Sequence, residues 1–169
     1  MRLGRWQEAI EAFKQAIGLK PDLAEAHCNL GVDYGELGRY QEAVEAFKQA
    51  IRVKPDYAMA HNNLGVACGN LGRWQEALEA DKQAIRLKPD LALAHYNLGV
   101  AYRNLGRYQE ALEAFKQAIR LKPDFAEAHY NLGVAYLAQG ERGLALEEYK
   151  ILKGLDKDLA AKLFDLLYP

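Results

Sequence analysis

The chain is poor in cysteine, proline and tryptophan, and its charges of opposite sign nearly cancel. Each shortage excludes something. Two cysteines, Cys28 and Cys68, are too few for a disulfide framework, and their spacing is not the Cys-x-x-Cys of metal or redox sites. Both read as small hydrophobes, with Cys28 near the groove described below and Cys68 on a core stripe. The 22 basic and 23 acidic residues leave a formal net charge of −1. A phosphate-backbone binder would carry a basic excess to displace counterions, so nucleic acid is not an expected partner. No run of about 18 apolar residues occurs, so no membrane span is expected. The first residues, Met-Arg-Leu-Gly-Arg-Trp-Gln-Glu, contain no apolar run of the secretory kind. The cytoplasm is therefore the expected location. No glycine-rich phosphate loop and no nucleophile with an arranged base is present. No catalytic residue, cofactor or metal is expected, and the chain does not read as an enzyme.

What the chain does have is a period. Pro21, Pro55, Pro89 and Pro123 fall 34 residues apart, each inside Lys-Pro-Asp, and the remaining proline is Pro169. A period of this length marks stacked supersecondary units, none able to bury its apolar face alone. The chain divides into a half repeat at 1–23 and full repeats at 24–57, 58–91, 92–125 and 126–159. A capping helix is expected at 159–168, and 1–169 reads as one solenoid. In the first full repeat, His27, Leu30, Gly31 and Tyr34 form one helical stripe. Tyr40, Ala43, Val44, Phe47, Ala50 and Ile51 form a second. Leu37-Gly38 breaks the pattern between them as a glycine C-cap would. Pro55 stops the second helix, and Asp56 is expected to N-cap the next. Gly31, Gly65, Gly99 and Gly133 lie mid-helix at one phase. Each costs about 1 kcal/mol relative to alanine, so close packing is implied. The expected neighbour is the alanine at 43, 77, 111 or 145.

This layout resembles the tetratricopeptide repeat, whose pattern is Trp-x2-Leu-Gly-x2-Tyr, then Ala-x3-Phe, then Pro. Here it reads His95-x2-Leu98-Gly99-x2-Tyr102, Ala111-x3-Phe115, Pro123, and the likeness covers nearly the whole chain. The resemblance implies an all-α, right-handed superhelical solenoid of antiparallel helix pairs, with a concave groove lined mainly by first helices. Four features depart from the pattern. Histidine replaces tryptophan in every full repeat, Cys68 replaces the tyrosine, Asp81 replaces the phenylalanine, and Lys157 stands where the fourth repeat would have proline. Asp81 falls on the core stripe, where an unpaired carboxylate is costly. It is expected at the stripe's edge, reaching water. The histidines at 27, 61, 95 and 129 share one phase. Equivalent helices stay about 8–10 Å apart while zinc needs nitrogens at about 2 Å, so one metal cannot collect them. They read as half-buried replacements for tryptophan.

The two ends differ. Leu159, Leu163, Phe164, Leu166 and Leu167 follow Asp156 or Asp158, as an N-capped covering helix would. At the other end, a lone second helix over about 5–19 puts Trp6, Ile10, Phe13 and Ile17 on one face. That face is expected to drive self-association through residues 1–19. The alternative is that the chain continues a longer array, such as a targeting domain severed from a larger enzyme. Whether Met1 is a natural start stays open.

Opposite the core stripe runs another. It holds Glu25, Asn29, Val32 and Glu36, then Met59, Asn63, Val66 and Asn70, then Leu93, Asn97, Val100 and Asn104, then Glu127, Asn131, Val134 and Ala138. Asparagine and valine are poor helix formers, so helix stability does not select them. Duplication of one ancestral unit would also repeat them. The functional reading is chemical: each carboxamide offers a donor and an acceptor to a peptide unit. Such a row binds an extended backbone with little demand on its sequence. The stripe is similar to the asparagine ladder of the O-GlcNAc transferase repeat domain, and Asn29, Asn63, Asn97 and Asn131 match it. The valines, with Met59, Leu93, Tyr96 and Tyr130, would supply apolar contact. The resemblance offers a second mode, a carboxylate clamp, whose lysine position here holds Cys28, Asn62, Tyr96 and Tyr130. Only Arg103 is placed as a basic groove residue, so the clamp is disfavoured. The expected function is a protein-interaction scaffold taking an extended segment of a protein or peptide partner.

Overall fold

The structure is a computed structural model and describes residues 2–169. Met1, the first residue of the half repeat and of the expected self-association segment, lies outside the described residues. Among the described residues the chain forms ten α-helices and no strand. These are α1 (Arg2–Leu19), α2 (Ala24–Glu36), α3 (Tyr40–Val53), α4 (Ala58–Asn70), α5 (Trp74–Leu87), α6 (Ala92–Asn104), α7 (Tyr108–Leu121), α8 (Ala126–Ala138), α9 (Arg142–Leu155) and α10 (Lys157–Leu167). They fall into two compact units, the first ending at Pro89 with α1–α5 and the second spanning Asp90–Pro169 with α6–α10.

In the first unit, α3 shows why the sequence folds as it does. Ala43, Val44, Ala46, Phe47 and Ala50 are all buried, while Glu42, Glu45 and Lys48 face water. The helical period separates the two sets. The turn before α3 rests on Gly38 at φ 71, a left-handed conformation that strains any residue with a Cβ. There the Gly38 N–H donates to the Gly35 carbonyl and the Arg39 N–H to the Tyr34 carbonyl, each at 2.9 Å, which closes the helix end.

The structure corrects the capping expectation. Asp56 does not cap α4. The N-cap residue is Tyr57, and no side chain accepts a hydrogen bond there. The position is spent on packing instead: Tyr57 is half-buried, with the Lys54 ammonium 5.2 Å from its ring centre.

A second correction concerns the mid-helix glycines. Gly31 makes room for Phe47, not for alanine. A Cβ on Gly31 would stand 2.6 Å from the Phe47 ring, and one on Gly99 would stand 2.6 Å from Phe115. Phe47 lies one turn beyond Ala43, and its ring spans the gap that the alanine leaves. A third correction concerns Asp81. It is 1% exposed, and neither carboxylate oxygen has a hydrogen-bond partner. A Cβ on Gly65 would lie 2.5 Å from Asp81 Oδ1, so the carboxylate sits where Phe47 sits in the preceding pair. Helix phase, not solvation, decides the place. Burial pushes the Asp81 carboxyl well above the usual carboxylate range. On α1, Ile10 is fully buried, Trp6, Phe13 and Ile17 are half-buried, and Leu19 is 89% exposed.

In the second unit, Phe115, Leu132, Leu152, Leu163 and Leu167 join one core. Asp156 N-caps α10, accepting from the Asp158 and Leu159 N–H groups at 2.9 Å each. Ala160, Leu163 and Leu167 of α10 are buried. A Cβ on Gly133 would come within 2.6 Å of Leu163 Cδ2, so a leucine from α10 fills the place that phenylalanine fills beside Gly31. Phe164 and Leu166 stay exposed on α10, as does Tyr168 just after it.

Candidate functional site

The stripe of asparagines and valines is set by the first helix of each pair. In the first unit it runs along α2 and α4. Asn29 and Asn70 are exposed and Asn63 is half-buried. Val32, Met59 and Val66 are 38%, 39% and 42% exposed, far more than a core role allows. Between α2 and α4 an open cleft of about 310 Å³ is walled by Val32, Glu36, Asn63, Val66 and Asn70, with Phe47 and Ala67 beneath. Asn63 Nδ2 donates to Cys28 Sγ at 3.8 Å, and Asn63 Oδ1 accepts from Asn62 at 3.3 Å. A sulfur acceptor is weak, so Asn63 gives it up at little cost. Asn70 turns its amide back onto the Val66 carbonyl at 3.0 Å.

In the second unit the same phases have a different fate. Asn131 is buried and fully engaged. Its Nδ2 donates to the Glu127 carbonyl at 2.8 Å and to the Tyr96 hydroxyl at 3.2 Å, and its Oδ1 accepts from Arg103. Arg103, expected as a basic groove residue, is thereby held by the stripe. Asn97, Val100, Tyr130 and Val134 are half-buried, while Leu93 and Asn104 are exposed. Asn104 returns its amide to the Val100 carbonyl at 2.8 Å.

The histidines do work that the spacing could have revealed. His27, His61 and His129 place Nε2 at 2.9, 3.0 and 2.9 Å from the carbonyls of Pro21, Pro55 and Pro123. Each pair is six residues apart, a constant interval visible in the sequence. The histidine pins the loop that enters its own helix. His129 adds a second bond, Nδ1 to Glu148 Oε2 at 2.6 Å. Burial acts to lower the His129 pKa, but the bonds to Glu148 and to the Pro123 carbonyl outweigh it and hold the pKa above its ordinary value. Burial raises the thiol pKa of Cys28 and of Cys68, which keeps both protonated and unreactive.

Paired helices, a repeated glycine turn and a 34-residue period define the class, and the chain belongs to the tetratricopeptide-repeat family. Models described as "TPR repeat" and "Tetratricopeptide repeat" match residues 1–38 and 101–140, 28–92, 82–113 and 126–158. Among solved structures, the chain is 30% identical to MamA, with a TM-score of 0.82 over 96% of this chain and 90% of that one. It is 29% identical to TTC0263, a thermophilic tetratricopeptide-repeat protein of Thermus thermophilus, with a TM-score of 0.79 over 99% and 93% of the two chains. YrrB, described as a tetratricopeptide-repeat protein with an unusual peptide-binding site, is 26% identical, with a TM-score of 0.80 over 97% and 86%. Among curated proteins nothing matches. The fold is the all-α solenoid of this family, and the family is one of protein-interaction modules. No helix among the described residues is long and apolar enough to cross a membrane.

Proposed function

We propose that the chain is a non-catalytic scaffold that holds an extended peptide segment along the asparagine–valine stripe. One observation carries the reading: Asn63, Asn70, Val32 and Val66 of α2 and α4 wall one open cleft, and exposed Asn29 lies on the same stripe. Asn29 and Asn63 supply the hydrogen bonds to a peptide backbone, and Val32, Met59 and Val66 supply apolar contact. In the second unit, a peptide reaches Asn131 only by displacing Arg103 or Tyr96 from its carboxamide. The proposed site is therefore the stripe of the first unit.

The test begins with a peptide selected from a random library on the wild-type chain. Replacing Asn29 and Asn63 together with alanine forfeits up to two hydrogen bonds per carboxamide, at about 0.5–1.5 kcal/mol each. Calorimetry should show binding weaker by about one to three decades, with helical circular dichroism unchanged, since alanine is the better helix former. Unchanged affinity in the folded double variant rejects the stripe. The contacts are neutral, so raising the salt should matter little.

A second reading rests on α1. Half-buried Trp6, Phe13 and Ile17 form an apolar face suited to a second copy of the chain. Sedimentation should then show concentration-dependent dimers that Phe13→Glu removes. A monomer at every concentration rejects it.

A further inference from the structure

In three full repeats a tyrosine ring lies beneath the arginine that precedes the second helix or beside a lysine of the preceding pair. The guanidinium carbons of Arg39 and Arg107 stand 4.6 Å from the ring centres of Tyr34 and Tyr102. The Lys116 ammonium stands 5.8 Å from the ring centre of Tyr136. In the α4–α5 pair that residue is Cys68, whose thiol is far smaller than a phenol. The neighbours have not closed over the difference. An open, mainly apolar cleft of about 360 Å³ remains, with Cys68, Leu64 and Ala80 as its floor and Lys48, Glu76, Glu79 and Gln83 at its rim.

One of the two cations that would attend the missing ring still lines the cleft. Lys48 precedes Cys68 by 20 residues, as Lys116 precedes Tyr136. Arg73 holds the place of Arg39 and Arg107, but it has no ring to cover. Its guanidinium donates instead to Gln41 Oε1 at 2.9 Å. Its contact with Glu76 is loose at 3.9 Å, whereas the Nε groups of Arg39 and Arg107 reach Glu42 and Glu110 at 2.9 and 2.8 Å.

We propose that this cleft is a second binding site, which takes the phenol ring of a tyrosine presented by a protein partner. The other repeats select the ring: Tyr34, Tyr102 and Tyr136 hold the equivalent place, each within reach of a cation, and Lys48 stays at this rim to meet such a ring. An apolar floor with the Lys48 ammonium at its rim suits the negative face of an aromatic system, and Glu76 or Glu79 at the rim can accept from the phenol hydroxyl. An aliphatic side chain would fill the space but offer Lys48 no π face. None of these residues belongs to the asparagine–valine stripe, so this site stands apart from the peptide reading.

The test titrates the intact, isotopically labelled chain with N-acetyltyrosinamide, 4-methylphenol and 4-methylcyclohexanol, followed by amide chemical shifts. Both phenols should bind with dissociation constants on the order of millimolar, as expected for a single ring. The shifts should centre on Leu64, Cys68 and Ala80, and 4-methylcyclohexanol should bind about tenfold more weakly. Cys68→Tyr should occupy the cleft from within and abolish the shifts. Lys48→Met, at an exposed position that leaves folding intact, should weaken the phenols about threefold to tenfold. Absence of shifts at those amides, equal binding of 4-methylcyclohexanol, or wild-type affinity in Lys48→Met overturns the proposal. Binding of 4-methylphenol without N-acetyltyrosinamide overturns the partner tyrosine as its source. The Asn29 and Asn63 double alanine variant should bind the phenols as wild type does, which separates failure here from failure of the stripe.

Discussion

The α2–α3 and α4–α5 pairs share a backbone plan and differ in their cores. The first packs Phe47 against Gly31 and buries Tyr34, whereas the second puts Asp81 against Gly65 and carries Cys68 in the tyrosine's place. Both pairs keep the glycine turn, with Gly38 at φ 71 and Gly72 at φ 72. Both keep the small buried residues of the second helix, Ala43 and Ala46 in one, Ala77 and Ala80 in the other. The difference teaches that a helix pair is specified by its turn and by its points of close approach. Its large rings add stability but are not needed to define the geometry.

The largest test of that view moves the defect into the sound pair. Phe47→Asp removes a buried ring and adds a second unpaired acid, which should cost at least about 4 kcal/mol. A guanidinium melt at neutral pH should show it. A loss below about 1 kcal/mol would mean that the rings contribute little anywhere.

The reverse change should repair the weak pair. Asp81→Phe should stabilise the chain by about 1–3 kcal/mol at pH 7. The gain depends on pH. The folded chain holds the Asp81 proton at pH values where the unfolded chain, with an ordinary value of 3.8, has lost it. Stability from this group therefore falls as pH rises from about 3.8 through the raised folded value. The benefit of phenylalanine should be largest at neutral pH and smaller below pH 3.8. Asp81→Asn should remove the pH dependence without restoring the ring. An unchanged denaturant midpoint in Asp81→Phe would show that the carboxylate is not an isolated buried charge.

The smallest effects separate the histidines. His27→Ala loses one bond to the Pro21 carbonyl, about 0.5–1.5 kcal/mol. His129→Gln also loses the pair with Glu148, about 1 kcal/mol more at low pH. Because the folded pKa of His129 is raised, that extra stability is fully present below the unfolded value of 6.5. It is lost as pH rises through the folded value. Equal pH dependence of the two variants in thermal melts would contradict the Glu148 pairing.

Much of the fold was legible because its signals are periodic. The prolines mark each joint, the glycines mark each turn, and the apolar stripes mark each face, so α3 begins at Tyr40 as the pattern expects. What could not be read was reach. Sequence phase put Gly31 opposite its partner helix but did not show that the Phe47 ring, one turn past the alanine, fills the gap. It put Asp81 on the stripe, but nothing one-dimensional shows whether a short carboxylate can escape to water. The capping error has a similar root: Asp56 has the right chemistry, but the helix begins one residue too late for it to act. For the stripe, phase gave position but not engagement. Asn63 and Asn131 look alike in sequence and differ only through what stands at 28, 96 and 103.

The bond from His27 to Pro21 spans six residues, and its counterparts at His61 and His129 span the same six. The fastening at these three joints is therefore written entirely within one short stretch of chain. A duplicated stretch of 34 codons cut just before Lys-Pro-Asp would carry its hinge, its pin and its glycine corner together. Recombination in register could lengthen or shorten such an array without inventing a new junction. Drift would then be free to act inside a copied cassette, as the aspartate at 81 and the cysteine at 68 illustrate.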